Sequence, residues 1–131
     1  MNRATHFILS IFIVLGTLVS CSSNKAQEEE SIEVLYFHFT QRCSTCFAIE
    51  AETSKDLENL QEKENKEYSF QSINIDDADT KELVKAYKIE GQTLLIIKGD
   101  KIVNLTDLAF EYADYHPDKL AKLIEKTINE I

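Results

Sequence analysis

Two hydrophobic periods alternate along the chain from residue 32 onward. Residues 32–39 form a largely apolar run, broken by Glu33 at its start and His38 near its end, which predicts a strand in mid-sheet covered on both sides. Cys46, Ile49, Thr53, Leu57 and Leu60 then recur at helical spacing. That stripe predicts a helix over 43–63, with Glu50, Glu52, Asp56, Glu58 and Glu62 on a solvated face. Residues 68–75 alternate less regularly as a second strand, and Asp76-Asp77 ends it. Thr80 is placed to cap a short helix running to 88. Residues 94–97 and 102–105 flank Lys98-Gly99-Asp100-Lys101, a good hairpin turn. Pro117 opens a last helix, with Leu120, Leu123, Ile124, Ile128 and Ile131 on one stripe. The expected order is β-α-β-α-β-β-α, an α/β domain.

The first 31 residues follow another logic. Residues 1–20 carry one positive charge, Arg3, and an apolar stretch from Phe7 to Val19. This is the n-region and h-region of a signal peptide, too short and wrongly flanked for a membrane span. Leu18-Val19-Ser20-Cys21 resembles the bacterial lipobox. That resemblance implies cleavage before Cys21 and its lipidation; the alternative is an ordinary signal peptide with a chance cysteine. The polar, acidic residues 22–30 read as a tether. The expected organisation is a lipoprotein signal peptide at 1–20, a lipid-anchored acidic tether at 21–31 and one domain at 32–131. Its expected place is the bacterial cell envelope, on the periplasmic side or at the outer membrane, where disulfides persist.

Charge narrows the partners. The 131 residues hold 14 Lys and Arg against 23 Asp and Glu, a net charge of −9. An acidic surface argues against nucleic acid and against polybasic membrane contact. A lipid on Cys21, rather than the protein surface, would hold the chain at a membrane. The domain is long enough to build one core without staples, and a monomer is expected.

The chemistry centres on Cys43-Ser44-Thr45-Cys46, at the junction of the first strand and first helix. A dithiol there meets the partial positive charge and free N–H groups of a helix N-terminus, which favour a thiolate. With Cys21 lipidated, Cys43 and Cys46 are the remaining pair of the chain's three cysteines. So short a loop would stabilise the fold little as a structural bridge. Cys43, the N-terminal member, is the expected nucleophile, with Arg42 beside it favouring thiolate; Cys46 is the expected resolving thiol. Glu50, one turn on, opposes a second negative charge, so the net shift is open at this point. No cofactor is expected beyond the redox-active Cys43–Cys46 disulfide, and no metal site. Three classes fit: a thiol–disulfide oxidoreductase or electron carrier, a dithiol binder of a soft metal or arsenic(III), and a non-catalytic interaction module. Two cysteines and one nearby histidine fall short of a closed four-ligand zinc site.

The element order, with the dithiol at the first strand-to-helix junction, resembles the thioredoxin fold. So does Tyr87-Lys88-Ile89-Glu90-Gly91-Gln92-Thr93-Leu94-Leu95-Ile96-Ile97, which is similar to the loop and strand facing the dithiol in thioredoxins. The resemblance implies a three-layer α/β/α domain around a mixed four-stranded sheet. Residues 36–46, Tyr36-Phe37-His38-Phe39-Thr40-Gln41-Arg42-Cys43-Ser44-Thr45-Cys46, with Ala48-Ile49-Glu50 following, resemble a narrower group. These are small thioredoxin-like subunits of nitrophenyl-compound nitroreductases, linked to nitroaromatic arsenicals. That implies a redox partner protein in the envelope. Two departures stand out. Thioredoxins carry a buried acid in the strand before the dithiol, whereas here His38 is the candidate titrating near neutrality, with a buried, backbone-bonded histidine as the alternative. Gln92 stands where thioredoxins have a cis-proline, and a trans bond is expected before it, because a non-proline cis bond costs about 2.5–4 kcal/mol.

Overall fold

The structure, a computed structural model, describes residues 31–131. The expected signal peptide, Cys21 and all but the last residue of the tether lie outside the described residues.

Strand β1 (Ile32–His38) leads into helix α1 (Ser44–Glu64) and strand β2 (Tyr68–Asn74). A 3₁₀ turn at Ala78–Thr80 runs into α2 (Lys81–Ala86), followed by β3 (Thr93–Lys98) and β4 (Lys101–Asn104). Helices α3 (Thr106–Tyr112) and α4 (Pro117–Glu130) complete the domain. The sheet order is β2-β1-β3-β4, with β1 parallel to β2, and β3 antiparallel to both β1 and β4.

Strand β1 is central, as its two apolar faces demand. Ile32, Val34 and Tyr36 pack into one core with Ile49 and Leu57 of α1, Ala109 of α3, and Leu120 and Ile124 of α4. Leu35 and Phe37 join Ile73, Leu95 and Ile97 in a second core, covered by Leu83 and Val84 of α2 with Tyr87 and Ile89. Helices thus cover both faces of a mixed sheet, the three-layer α/β/α architecture of a thioredoxin-like fold. Cutting a fully buried anchor such as Leu120 to alanine would cost about 2–5 kcal/mol, from lost transfer energy and the residual cavity.

Local chemistry sets the boundaries. Asn65 ends α1 in the left-handed region, at φ 51°, a conformation asparagine tolerates better than most residues. Gly99, at φ 56°, turns the β3–β4 hairpin, and Lys98 pairs with Lys101 across it.

The pattern misjudged three places. Helix α3 was absent from the expected order, because seven residues are too few to establish a period; within it only Ala109 is buried, with Leu105 at the N-cap and Ala113 at the C-cap buried on either side. Thr80 does not cap α2: its hydroxyl donates to the carbonyls of Asn74 and Asp77 at 2.8 and 3.0 Å, closing the turn after β2 instead. Asp56, expected on the solvated face of α1, is partly buried at the seam with α4, and its Oδ2 has no hydrogen-bond partner.

Candidate functional site

The dithiol sits beyond the C-terminal end of β1, where Cys43 is the N-cap of α1. The two sulfurs occupy different environments for a geometric reason. Cys43 stands before the first helical turn and is exposed. Cys46 lies on the same stripe as Ile49, Thr53 and Leu57 and is fully buried. The structure holds both as free thiols.

Their acidities diverge accordingly. The Cys46 thiol hydrogen-bonds to the Cys43 sulfur, and the backbone N–H groups of Cys46 and Thr45 turn toward it, so the Cys43 pKa is lowered. Burial pushes the Cys46 pKa up, and its role as partner to the Cys43 thiolate pushes it further; the Gln92 side chain acts in the opposite direction. One proton is therefore shared unequally, with the exposed sulfur the better thiolate.

Arg42 contributes less directly than its position beside Cys43 suggested. Its guanidinium pairs with the Glu50 carboxylate and stacks 4.3 Å from the centroid of the Phe47 ring. Burial would raise the Glu50 pKa, but hydrogen bonds from Ser72 and Arg42 outweigh it and hold the carboxyl below its usual range. The pair thereby cancels the negative charge expected to oppose the dithiol. The lowered Cys43 pKa comes chiefly from Cys46 and the helix backbone.

His38 is buried, with Nδ1 2.9 Å from the Phe39 carbonyl oxygen and its ring 5.8 Å from that of Tyr36. That is the backbone-bonded arrangement. Gln92 immediately precedes β3, and no cis peptide bond occurs among the described residues, so the bond before it is trans. The β1–β3 register pairs Phe37 with Thr93. Gln92 therefore falls on the same face of the sheet as Tyr36 and His38, the face covered by α1. There the Tyr36 hydroxyl donates to Gln92 Oε1 at 3.1 Å.

The structure thus brings Cys43, Cys46 and Gln92 together, turns Arg42 toward Glu50, and gives His38 a backbone partner. Two participants were not foreseen. Tyr36 is fully buried and its pKa is raised, first by that burial and then by the Cys46 thiolate. A phenol amid the apolar centre of β1, on the face leading to the dithiol, was the available signal. The other is Asp114, between α3 and α4, whose carboxylate accepts the Thr45 hydroxyl and ties that connection to the dithiol loop. Nothing local in the sequence links positions 69 residues apart. Among the described residues, no three His, Cys, Asp or Glu side chains gather to hold a metal ion.

No protein-family model matches the chain, and a search of curated proteins finds no match. Solved structures do show similarity. The germline-specific thioredoxin Deadhead from Drosophila melanogaster is 20% identical, with 75% of this chain and 82% of that chain covered at a TM-score of 0.47. A structure described as that of a malarial protein is 21% identical, with 60% of this chain and 90% of that chain covered at a TM-score of 0.42.

Proposed function

We propose that the chain is a thiol–disulfide oxidoreductase or electron-transfer protein working through Cys43 and Cys46. The observation that carries this reading is the asymmetry of the pair: an exposed sulfur with a lowered pKa backed by a fully buried one with a raised pKa. The Cys43 thiolate attacks one sulfur of a disulfide R–S–S–R′, forming a mixed disulfide and releasing R′S⁻. The charge on Cys43 is then gone, and with it one reason for Cys46 to keep its proton. Cys46 gives that proton to solvent, and its thiolate attacks the Cys43 sulfur, closing the Cys43–Cys46 disulfide and releasing RS⁻. Two electrons pass to the substrate; run in reverse, the same steps oxidise a dithiol.

The remaining expectations belong to this proposal. Lipidation of Cys21 and placement in the bacterial cell envelope are supported by the pattern of residues 1–31. A role as a small redox subunit serving nitroaromatic reduction is supported by the resemblance of residues 36–46. The partner is a redox protein of the same compartment.

The test is a redox titration of the full chain against glutathione, read by mass after alkylation. Reversible two-electron exchange confined to Cys43 and Cys46 is expected, and Cys46→Ser should accumulate a mixed disulfide on Cys43. A pair that stays reduced or oxidised throughout would defeat the proposal. Stoichiometric arsenite binding without redox cycling would favour the dithiol-binder reading instead.

A further inference from the structure

From β1 to Cys46 runs a chain of two neutral side chains. Tyr36 is fully buried and its hydroxyl donates to Gln92 Oε1 at 3.1 Å; the Gln92 side chain in turn acts on the Cys46 thiol. We infer that Tyr36 is a positioning residue that pins the Gln92 carboxamide so that its Nε2 end faces Cys46 and donates to the Cys46 thiolate in the second exchange step. This inference rests on the dithiol-exchange reading above.

The orientation follows from hydrogen-bond inventory. A buried phenol needs an acceptor for its proton. A carboxamide offers one acceptor end and one donor end, and only the oxygen can take the Tyr36 proton. Engaging Oε1 leaves Nε2 for the remaining direction, toward Cys46. Toward that sulfur, the two ends of the amide have opposite effects. An N–H donor stabilises a thiolate, whereas a carbonyl would accept from the S–H and stabilise the thiol. The influence of Gln92 on Cys46 is the former: it lowers the pKa. Without the Tyr36 hydroxyl, the amide is free to turn over and present its oxygen.

The device suits a thiol with its own burial to overcome. A buried carboxylate beside Cys46 could take its proton, but it would also repel the thiolate. An amide donor takes no proton and stabilises the thiolate directly, leaving solvent to accept the proton. The same donor reaches the resolving thiol at its moment of need, when Cys43 is bonded to substrate and carries no charge.

The test isolates Cys46 in the full chain carrying Cys43→Ser, with 13C-labelled cysteine and the Cys46 Cβ shift followed against pH. Arg42 and Glu50 on the α1 side and His38 on β1 are unchanged across the series; Tyr36, the one titratable group removed, has its pKa raised by burial and stays a neutral phenol while Cys46 titrates. Gln92→Leu should raise the Cys46 midpoint by about one unit, a tenfold loss of thiolate at fixed pH, because one hydrogen bond to the charged form is removed. Tyr36→Phe should move it the same way by about threefold or more. The double variant should match Gln92→Leu alone, since Tyr36 acts only through Gln92. An unmoved midpoint in Tyr36→Phe, or shifts that add, would overturn the inference. A second measurement needs no change at Tyr36. In the Cys43→Ser chain, the Gln92 side-chain N–H resonances should shift downfield as Cys46 loses its proton; resonances that stay put across that titration would also overturn it. Failure of the wild-type pair to exchange two electrons would instead defeat the exchange reading, while the Cys46 titration still decides the role of Tyr36.

Discussion

Replacing Asp56 by asparagine should stabilise the domain at neutral pH. The carboxylate lies at the α1–α4 seam beside Asn59, Lys63 and Glu125, and its Oδ2 is buried without a partner. Burial, with Glu52 one helical turn away, pushes its pKa from 3.8 up to about 6, and Lys55 only partly offsets this. Lys63, two turns further along α1, is engaged with Glu125 of α4 across the seam. The sign follows from proton uptake: the folded state holds the Asp56 proton more tightly than the unfolded chain does. Below pH 3.8 both states are protonated and there is no penalty. Stability then falls as pH rises between the two pKa values, and above about 6 the penalty is complete. Two pH units correspond to about 3 kcal/mol. Solvent reaches the other side of the carboxyl, so screening brings the expected penalty to about 1–2 kcal/mol. Asp56→Asn should therefore gain that amount at pH 7 and little at pH 4. For a domain of this size the gain raises Tm by about 5–10 °C. Urea unfolding of wild type and variant at pH 4, 5, 6 and 7 checks it, because groups common to both cancel in the difference. A variant no more stable than wild type at pH 7, or a difference that does not grow between pH 4 and pH 7, would refute the burial argument.

Limiting iodoacetamide should mark Cys43 before Cys46, with an inflection in rate below the ordinary cysteine pKa of about 8.5, because its pKa is lowered. Peptide mass after quenching across pH 5–9 reads both points, and first labelling at Cys46 would reverse the assigned roles. Gln92 should make the domain a poor general disulfide reductase: a trans bond stands where thioredoxins present cis-proline backbone for an extended substrate to pair with. Insulin reduction should be at least about tenfold slower than by a thioredoxin control, whereas equal rates would show that the loop docks substrate after all. Cys21→Ser should move the protein from the membrane fraction to the soluble fraction while leaving the dithiol titration unchanged. An unacylated mature N-terminus by intact mass would remove the lipid anchor.

Patterns whose cause lies within a few residues were legible in the chain itself. Strand β1 is central because both its faces are apolar, α1 carries the stripe from Cys46 to Leu60, and Gly99 turns a two-residue hairpin. The inward turn of Cys46 and the exposure of Cys43 follow from helical spacing alone, so the core of the candidate site could be read from its motif. The rest depends on contacts between distant positions. Arg42 chose Glu50 and Phe47 over Cys43 because α1 presents both to it. Asp114 reaches Thr45 only when α3 and α4 have packed. Asp56 is buried by a helix more than 60 residues later, which its own periodicity cannot register. Tyr36 meets Gln92 because the antiparallel register of β1 and β3 sets them on one face, 56 residues apart in the chain. Period and capping are local properties of a sequence, whereas register and helix packing are minima of the whole chain. The sequence determined which two sulfurs face each other; tertiary structure decided which groups govern their protons.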